Sequence, residues 1–155
     1  MRRRTLLVAA AGSLPMAALA HHGWSSFNQD RPLWLEGRVV AVRWQNPHAE
    51  LHIVLPASPR LPADLATRPL PAQTAPVDGR ALLTRAQLPR RKDPKWEIEL
   101  APLTRLEAWK VAEIKPGTQV AVLGFGLTDE KEAVVRAEYL FVGGKAYGLR
   151  SSPAA

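Results

Sequence analysis

Apolar residues alternate with polar ones, or run together in β-branched and aromatic stretches, over five segments of the chain. That pattern predicts strands. Leu33 to Trp44 reads as one long strand whose phase slips: Leu33, Leu35 and Val39 share one parity, Val40, Val42 and Trp44 the other. A slip of one residue turns every later side chain to the opposite face, so a bulge or sharp bend is expected near Gly37 to Val40, with one strand serving two sheet surfaces. Gln45-Asn46-Pro47 supplies turn chemistry. Ala49 to Leu55 is a second strand with Leu51, Ile53 and Leu55 inward and His48, Glu50 and His52 on the other face. Lys95 to Leu100 is a third, with Trp96, Ile98 and Leu100 inward. Thr104-Arg105-Leu106-Glu107 has the form of a capping box and predicts a short helix to about Ala112, ended by Lys115-Pro116-Gly117. Thr118 to Phe125 and Val134 to Val142 complete the set, and Gly143-Gly144 marks a final turn.

Three strands, a short helix and two strands is the order of a five-stranded barrel of the oligonucleotide/oligosaccharide-binding (OB) type, with one helix between strands 3 and 4. A small β-sandwich is the alternative. Residues 21–150 are expected to form this single domain, interrupted by an insertion at about 56–94. Pro56 to Pro94 holds eight prolines, which remove ladder donors and fix φ, so an extended or partly disordered surface segment is expected there. Ala81 to Leu88 is a candidate short helix within it. Arg90-Arg91-Lys92 reads as the charge of a solvated loop, and residues 151–155 as a loose tail.

The first twenty residues have a different character. Arg2-Arg3-Arg4, an Ala-rich apolar stretch to Leu19 and the small-x-small Ala18-Leu19-Ala20 predict a cleaved export signal over residues 1–20. The expected destination is periplasmic or secreted, by the general or the twin-arginine route, with no integral membrane segment in the mature chain. Removing the three arginines lowers the formal charge from +7 to +4, a modest value that, with export, argues against nucleic acid as a partner. Cysteine is absent, so any metal must be held by nitrogen and oxygen.

Ala20-His21-His22, Phe27, Leu35-Glu36-Gly37-Arg38-Val39 and above all Trp44-Gln45-Asn46-Pro47-His48 resemble an uncharacterised family of exported bacterial proteins (DUF family 6152). The resemblance skips the proline-rich insertion and resumes around Trp96 to Val142, including Lys115-Pro116-Gly117. It implies export and a fold rather than an activity.

All four histidines lie early in the mature chain, and cleavage after Ala20 would make His21 its first residue. A terminal histidine offers an α-amine and a ring nitrogen to one ion, and another imidazole completes a three-nitrogen set suited to Cu(II), the arrangement called a histidine brace. The candidate metal residues are therefore His21, His22, His48 and His52. At ~3.3 Å per residue, His48 and His52 in one strand stand about 13 Å apart, so one of them, His48, is expected to reach the ion. Glu50 would orient a ligand ring, and Trp24 and Trp44 would shield the site. Gly-x-Ser-x-Gly, His-Glu-x-x-His and glycine-rich phosphate loops are missing from the sequence. The expectation is a non-catalytic copper carrier or sensor; the alternative is an OB-like module for an oligosaccharide, a lipid headgroup or an exported protein, without metal.

Overall fold

The phase slip in the first strand is a bulge. In the computed structural model, which describes residues 23–155, strand β1 runs from Phe27 to Arg43. Its pairing with β2 (Glu50–Val54) passes from Val39↔Ile53 directly to Ala41↔His52. Val40 is the extra residue and is 40 % exposed, whereas Val39 is buried. Gly37 fits the same bend, because a Cβ there would lie 2.5 Å from the Val54 carbonyl oxygen. The first half of β1 pairs with β4 (Gln119–Leu127) and the second half with β2, so the strand is shared as its sequence implied.

β2 pairs antiparallel with β3 (Lys95–Glu99), and β4 with β5 (Val134–Val142). β5 also pairs with β3, in parallel, over Glu97 to Glu99. The ladders β1-β2-β3-β5-β4 thus return to β1, with helix α2 (Leu103–Ala108) between β3 and β4 in the chain. A sixth strand, β6 (Lys145–Gly148), extends β5 where only a turn at Gly143-Gly144 was expected. The fold is mainly β with few helices, and among the described residues no helix is long and apolar enough to cross a membrane.

Alternation sorts the apolar side chains into two cores. Leu35, Val39, Leu51, Ile53, Ile98, Val122, Val135 and Leu140 point inward with Leu106 of α2. Each fully buried aliphatic side chain contributes about 1.5–3 kcal/mol. On the opposite face of β1, β4 and β5, Phe27, Trp34, Leu123, Phe125 and Tyr139 form a second core with Leu65, Leu82 and Leu83. Those three leucines belong to the proline-rich insertion, which is therefore a packed layer rather than an extended surface loop. Its helix α1 (Gly79–Arg85) starts two residues before the candidate at Ala81, with the Asp78 carboxylate accepting the Ala81 N–H at 2.9 Å. Gln87 then bonds Pro32 and Trp34 through its backbone, at 3.1 and 2.9 Å. Its prolines punctuate the segment without preventing its few leucines from covering an apolar sheet face.

The C-terminal residues are also held, in place of the expected loose tail. Thr74 N–H donates to the Ser152 carbonyl at 2.9 Å, Ala154 N–H to Ala72 at 3.1 Å, and Ala75 N–H to Ser151 Oγ at 2.7 Å. The insertion provides the partners, so the tail is ordered because the insertion is.

Candidate functional site

The Trp-x-Asn-Pro-His element has an architectural role that starts with Asn46. Its Oδ1 accepts the Leu103 N–H, the first of α2, at 3.0 Å, and so caps a helix 57 residues away in sequence. The expected capping box at Thr104 and Glu107 is not used: the helix begins after Pro102, leaving Thr104 inside the first turn, and ends at Ala108 rather than Ala112. Pro102 is the N-cap residue, in an extended conformation: its carbonyl accepts from the Arg105 and Leu106 N–H groups, and its side chain offers no cap. Trp44 packs half-buried against the inner core, and the Asn46–Pro47 peptide is cis. Asn46→Ala should lower stability by about 1 kcal/mol, read as a thermal midpoint a few degrees lower with β-sheet ellipticity retained.

His48 follows the cap. Ala49 and Leu51 are buried and Glu50 half-buried, so continued alternation assigns His48 to the Glu50 side of β2. On that face a row of charges crosses four strands: Arg43 opposite Glu50, Glu50 opposite Glu99, and Glu99 opposite Arg136. Two like charges side by side on β2 and β3 oppose sheet pairing, and each is met by a guanidinium on its far side. Arg43 Nε lies 2.9 Å from Glu50 Oε2, and Arg136 Nε and Nη2 lie 2.9 and 2.5 Å from Glu99 Oε2. Glu99 and Arg136 are almost completely buried. His52, half-buried one pair along, faces Ala41 and Glu97.

Beyond Arg136 the row ends under the start of the described chain. The Trp24 ring has the Arg150 guanidinium carbon 3.6 Å and that of Arg136 5.2 Å from its centroid, and meets Phe125 edge-on at 6.4 Å. Arg150 is fixed by Glu138, at 2.8 Å from Nε and 2.6 Å from Nη2. Glu138 occupies a second bulge: Leu123 pairs with Tyr139 and Gly124 with Ala137, leaving it no partner on β4. Its side chain is wholly buried and also accepts from Gln73 Nε2 at 3.2 Å. Burial raises the Glu138 carboxyl above its usual 4.5, against the lowering pull of Arg150 and Gln73. A carboxyl with a raised folded value holds its proton more tightly folded than unfolded, so the fold gains relative stability as pH falls through that value toward 4.5. Urea titrations across this range should show wild type gaining on Glu138→Gln as pH falls. A constant difference would mean that Glu138 titrates as an ordinary surface carboxyl.

Of the sequence-predicted site residues, Glu50 and His52 share one sheet face, with Glu50 already engaged by Arg43, while His48 precedes β2 and Trp44 supports the inner core from the same turn. Trp24 lies over β5. His21 and His22, with the expected signal at residues 1–20, lie outside the described residues. Among the described residues no group of three or more His, Asp or Glu side chains is arranged to hold a metal ion. Sequence reasoning missed Glu99, Arg136, Glu138 and Arg150. The available signal was two charges, Arg136 and Glu138, inside the otherwise apolar run Val134 to Val142.

These features define a small β protein whose polar sheet face joins a capped turn, a buried ion pair and an anchored tryptophan, Trp24. Residues 9–60, which include β1, the Trp-x-Asn-Pro-His element and β2, match the model of a family of unknown function, DUF6152. The family resemblance is thus shown over this segment; Trp96 to Val142 lies outside it. No curated protein and no solved structure matches the chain.

Proposed function

We propose that this is an exported, periplasmic copper-binding protein, built on an OB-like barrel, in which the mature N-terminal histidines and His48 hold Cu(II) for carriage or sensing without catalysis. The barrel reading is supported by the ring of ladders, the parallel β3–β5 closure and the helix between the third and fourth strands. The copper reading is carried by one observation: Trp24 sits over β5, reaching it from β1 across Phe125 of β4. From Arg136 the row passes Glu99 to Glu50, two ladders or about 10 Å further on at ordinary strand spacing, and His48 stands two residues before Glu50, outside β2. Three extended residues, the separation of His21 from Trp24, span about 10 Å. The described residues offer no complete ligand set, and His21 and His22 would complete one with His48.

The test is the mass of the exported protein, measured natively and then denatured. Cleavage after Ala20 and one copper ion lost on denaturation are expected. A different amino terminus, or a copper-free native mass after growth with copper, would count decisively against the reading.

A metal-free module for an oligosaccharide, lipid headgroup or protein is the second reading. It is favoured by a cleft between β1, β2 and the insertion, lined by Glu36, Arg38, Val54, Pro59 and Arg60. It requires ligand binding that a chelator leaves unchanged.

A further inference from the structure

One edge of β1 is not covered along its whole length. At its upper end Trp34 N–H donates to the Gln87 carbonyl at 2.9 Å, and Gln87 N–H donates to the Pro32 carbonyl at 3.1 Å. Pairing with β2 on this edge starts only at Arg38↔Val54. Backbone groups alternate between the two edges of a strand, so Glu36, in step with Trp34, presents its N–H and C=O here. Each neighbouring segment is stopped by a proline. Pro56 stands two residues after Val54, and Pro89 two after Gln87, where the next N–H donors would fall. Among the described residues, Leu35 to Gly37 therefore has no strand beside it on this side.

A cleft of about 470 Å³ occupies the gap, within the ~300–1,000 Å³ of ordinary ligand sites. Leu35, Glu36 and Gly37 border it on one side, Val54, Leu55 and Pro56 on the other. Consecutive residues of both parities line it, which marks a backbone edge rather than a sheet face. Trp34 is part of the same wall, wholly buried, and its indole N–H has no partner. A buried donor left unpaired is costly, and a ligand acceptor would satisfy it. Arg38 and Arg60 also line the cleft, exposed and outside every ion pair among the described residues, against one acid, Glu36.

The geometry points to an extended acidic peptide of a partner protein as the occupant of this cleft, added to β1 as one short strand. The inference rests on the second reading, a binding module, and holds with or without copper. Peptide N–H and C=O groups pair with those of Glu36, an acceptor meets Trp34 Nε1, and an acidic side chain meets Arg38 and Arg60. Two other occupants fit less well. A sugar ring is held by stacking on an open aromatic face, but Trp34 is the one aromatic residue lining the cleft. Its ring is taken by Arg68 and Phe141, each 5.1 Å from its centroid. A second copy would have to bring its own β1 edge, which is recessed between Gln87 and Val54 in the same way.

The test is NMR of the purified chain in chelator, titrated with acetylated, amidated pentapeptides that carry a central Asp among proline-free residues, and with the matching Asn pool. The Asp pool should shift the Glu36 amide and the Trp34 indole N–H, and bind roughly tenfold tighter than the Asn pool. N-methylation of the best binder should weaken it roughly tenfold at the amide facing Glu36 and leave it unchanged at the next, because alternate amides point away. Arg38→Glu combined with Arg60→Glu, both at exposed positions, should abolish the preference for Asp. Binding indifferent to N-methylation, or an Asp pool that shifts neither signal, overturns the peptide strand. If oligogalacturonate shifts those signals instead, the binding module survives and the peptide falls. If neither probe binds, the peptide falls, and titration with Cu(II) decides the copper reading separately.

Discussion

Glu99→Ala is expected to destabilise the folded chain by about 3–5 kcal/mol, because it removes the carboxylate that balances a buried guanidinium. Arg136 is only 4 % exposed and Glu99 5 %, so water cannot replace the lost carboxylate without opening the sheet where β3 meets β5. The rings of Trp24 and Phe27, with centroids 5.2 and 5.0 Å from the Arg136 guanidinium carbon, soften the loss but carry no charge. Removing both partners should cost less than removing one: Glu99→Ala combined with Arg136→Met should recover much of the stability, since an apolar pair has no desolvation penalty. Urea unfolding of the two singles and the double forms a cycle that isolates the interaction. A loss below about 1 kcal/mol in Glu99→Ala would place the pair with exposed ion pairs instead.

On the copper reading proposed above, in which cleavage makes His21 the first residue, the largest functional effect is expected from a single residue added ahead of it. It converts the terminal amine into a peptide nitrogen, which is neither basic nor free to chelate with its own imidazole. Cu(II) affinity should then fall by more than roughly 100-fold, beyond the 10–100-fold that losing an outer hydrogen-bond partner of a ligand costs. His48→Ala should weaken binding as well, with one nitrogen fewer in the hyperfine pattern, and His52→Ala should leave both unchanged. An extended chain that binds Cu(II) as tightly as the native one would remove the brace from consideration.

The strands were legible because their physics is local. The parity slip between Val39 and Val40 is written in the sequence, and so is the inward set Leu51, Ile53, Trp96 and Ile98. The polar side of β2 follows from the same alternation. What stayed hidden depends on which strand lies beside which. Glu99 meets Arg136 only through the parallel β3–β5 pairing, which local periodicity does not encode. Asn46 caps α2 because the ring brings the β1–β2 turn to Leu103, and the nearby Thr104-x-x-Glu107 pattern was a competing local signal that proline at position 102 displaced. In the insertion, eight prolines masked Leu65, Leu82 and Leu83, whose burial needs a sheet face that only the folded molecule presents. For the candidate site, the residues around the turn were visible in advance, whereas the buried charges that border it were not.

The parallel contact between β3 and β5 also governs the order in which the molecule can assemble. β1, β2 and β3 pair antiparallel with their neighbours, but the outer rim of β3 stays bare until residues 134–136 exist to occupy it. An unpaired rim of this kind is a template for mispairing with another chain, and contacts between residues as far apart as Glu99 and Arg136 are slow to form. A nascent chain stalled before Val134 should therefore be prone to aggregate, and completing β5 is the step that makes the polypeptide safe.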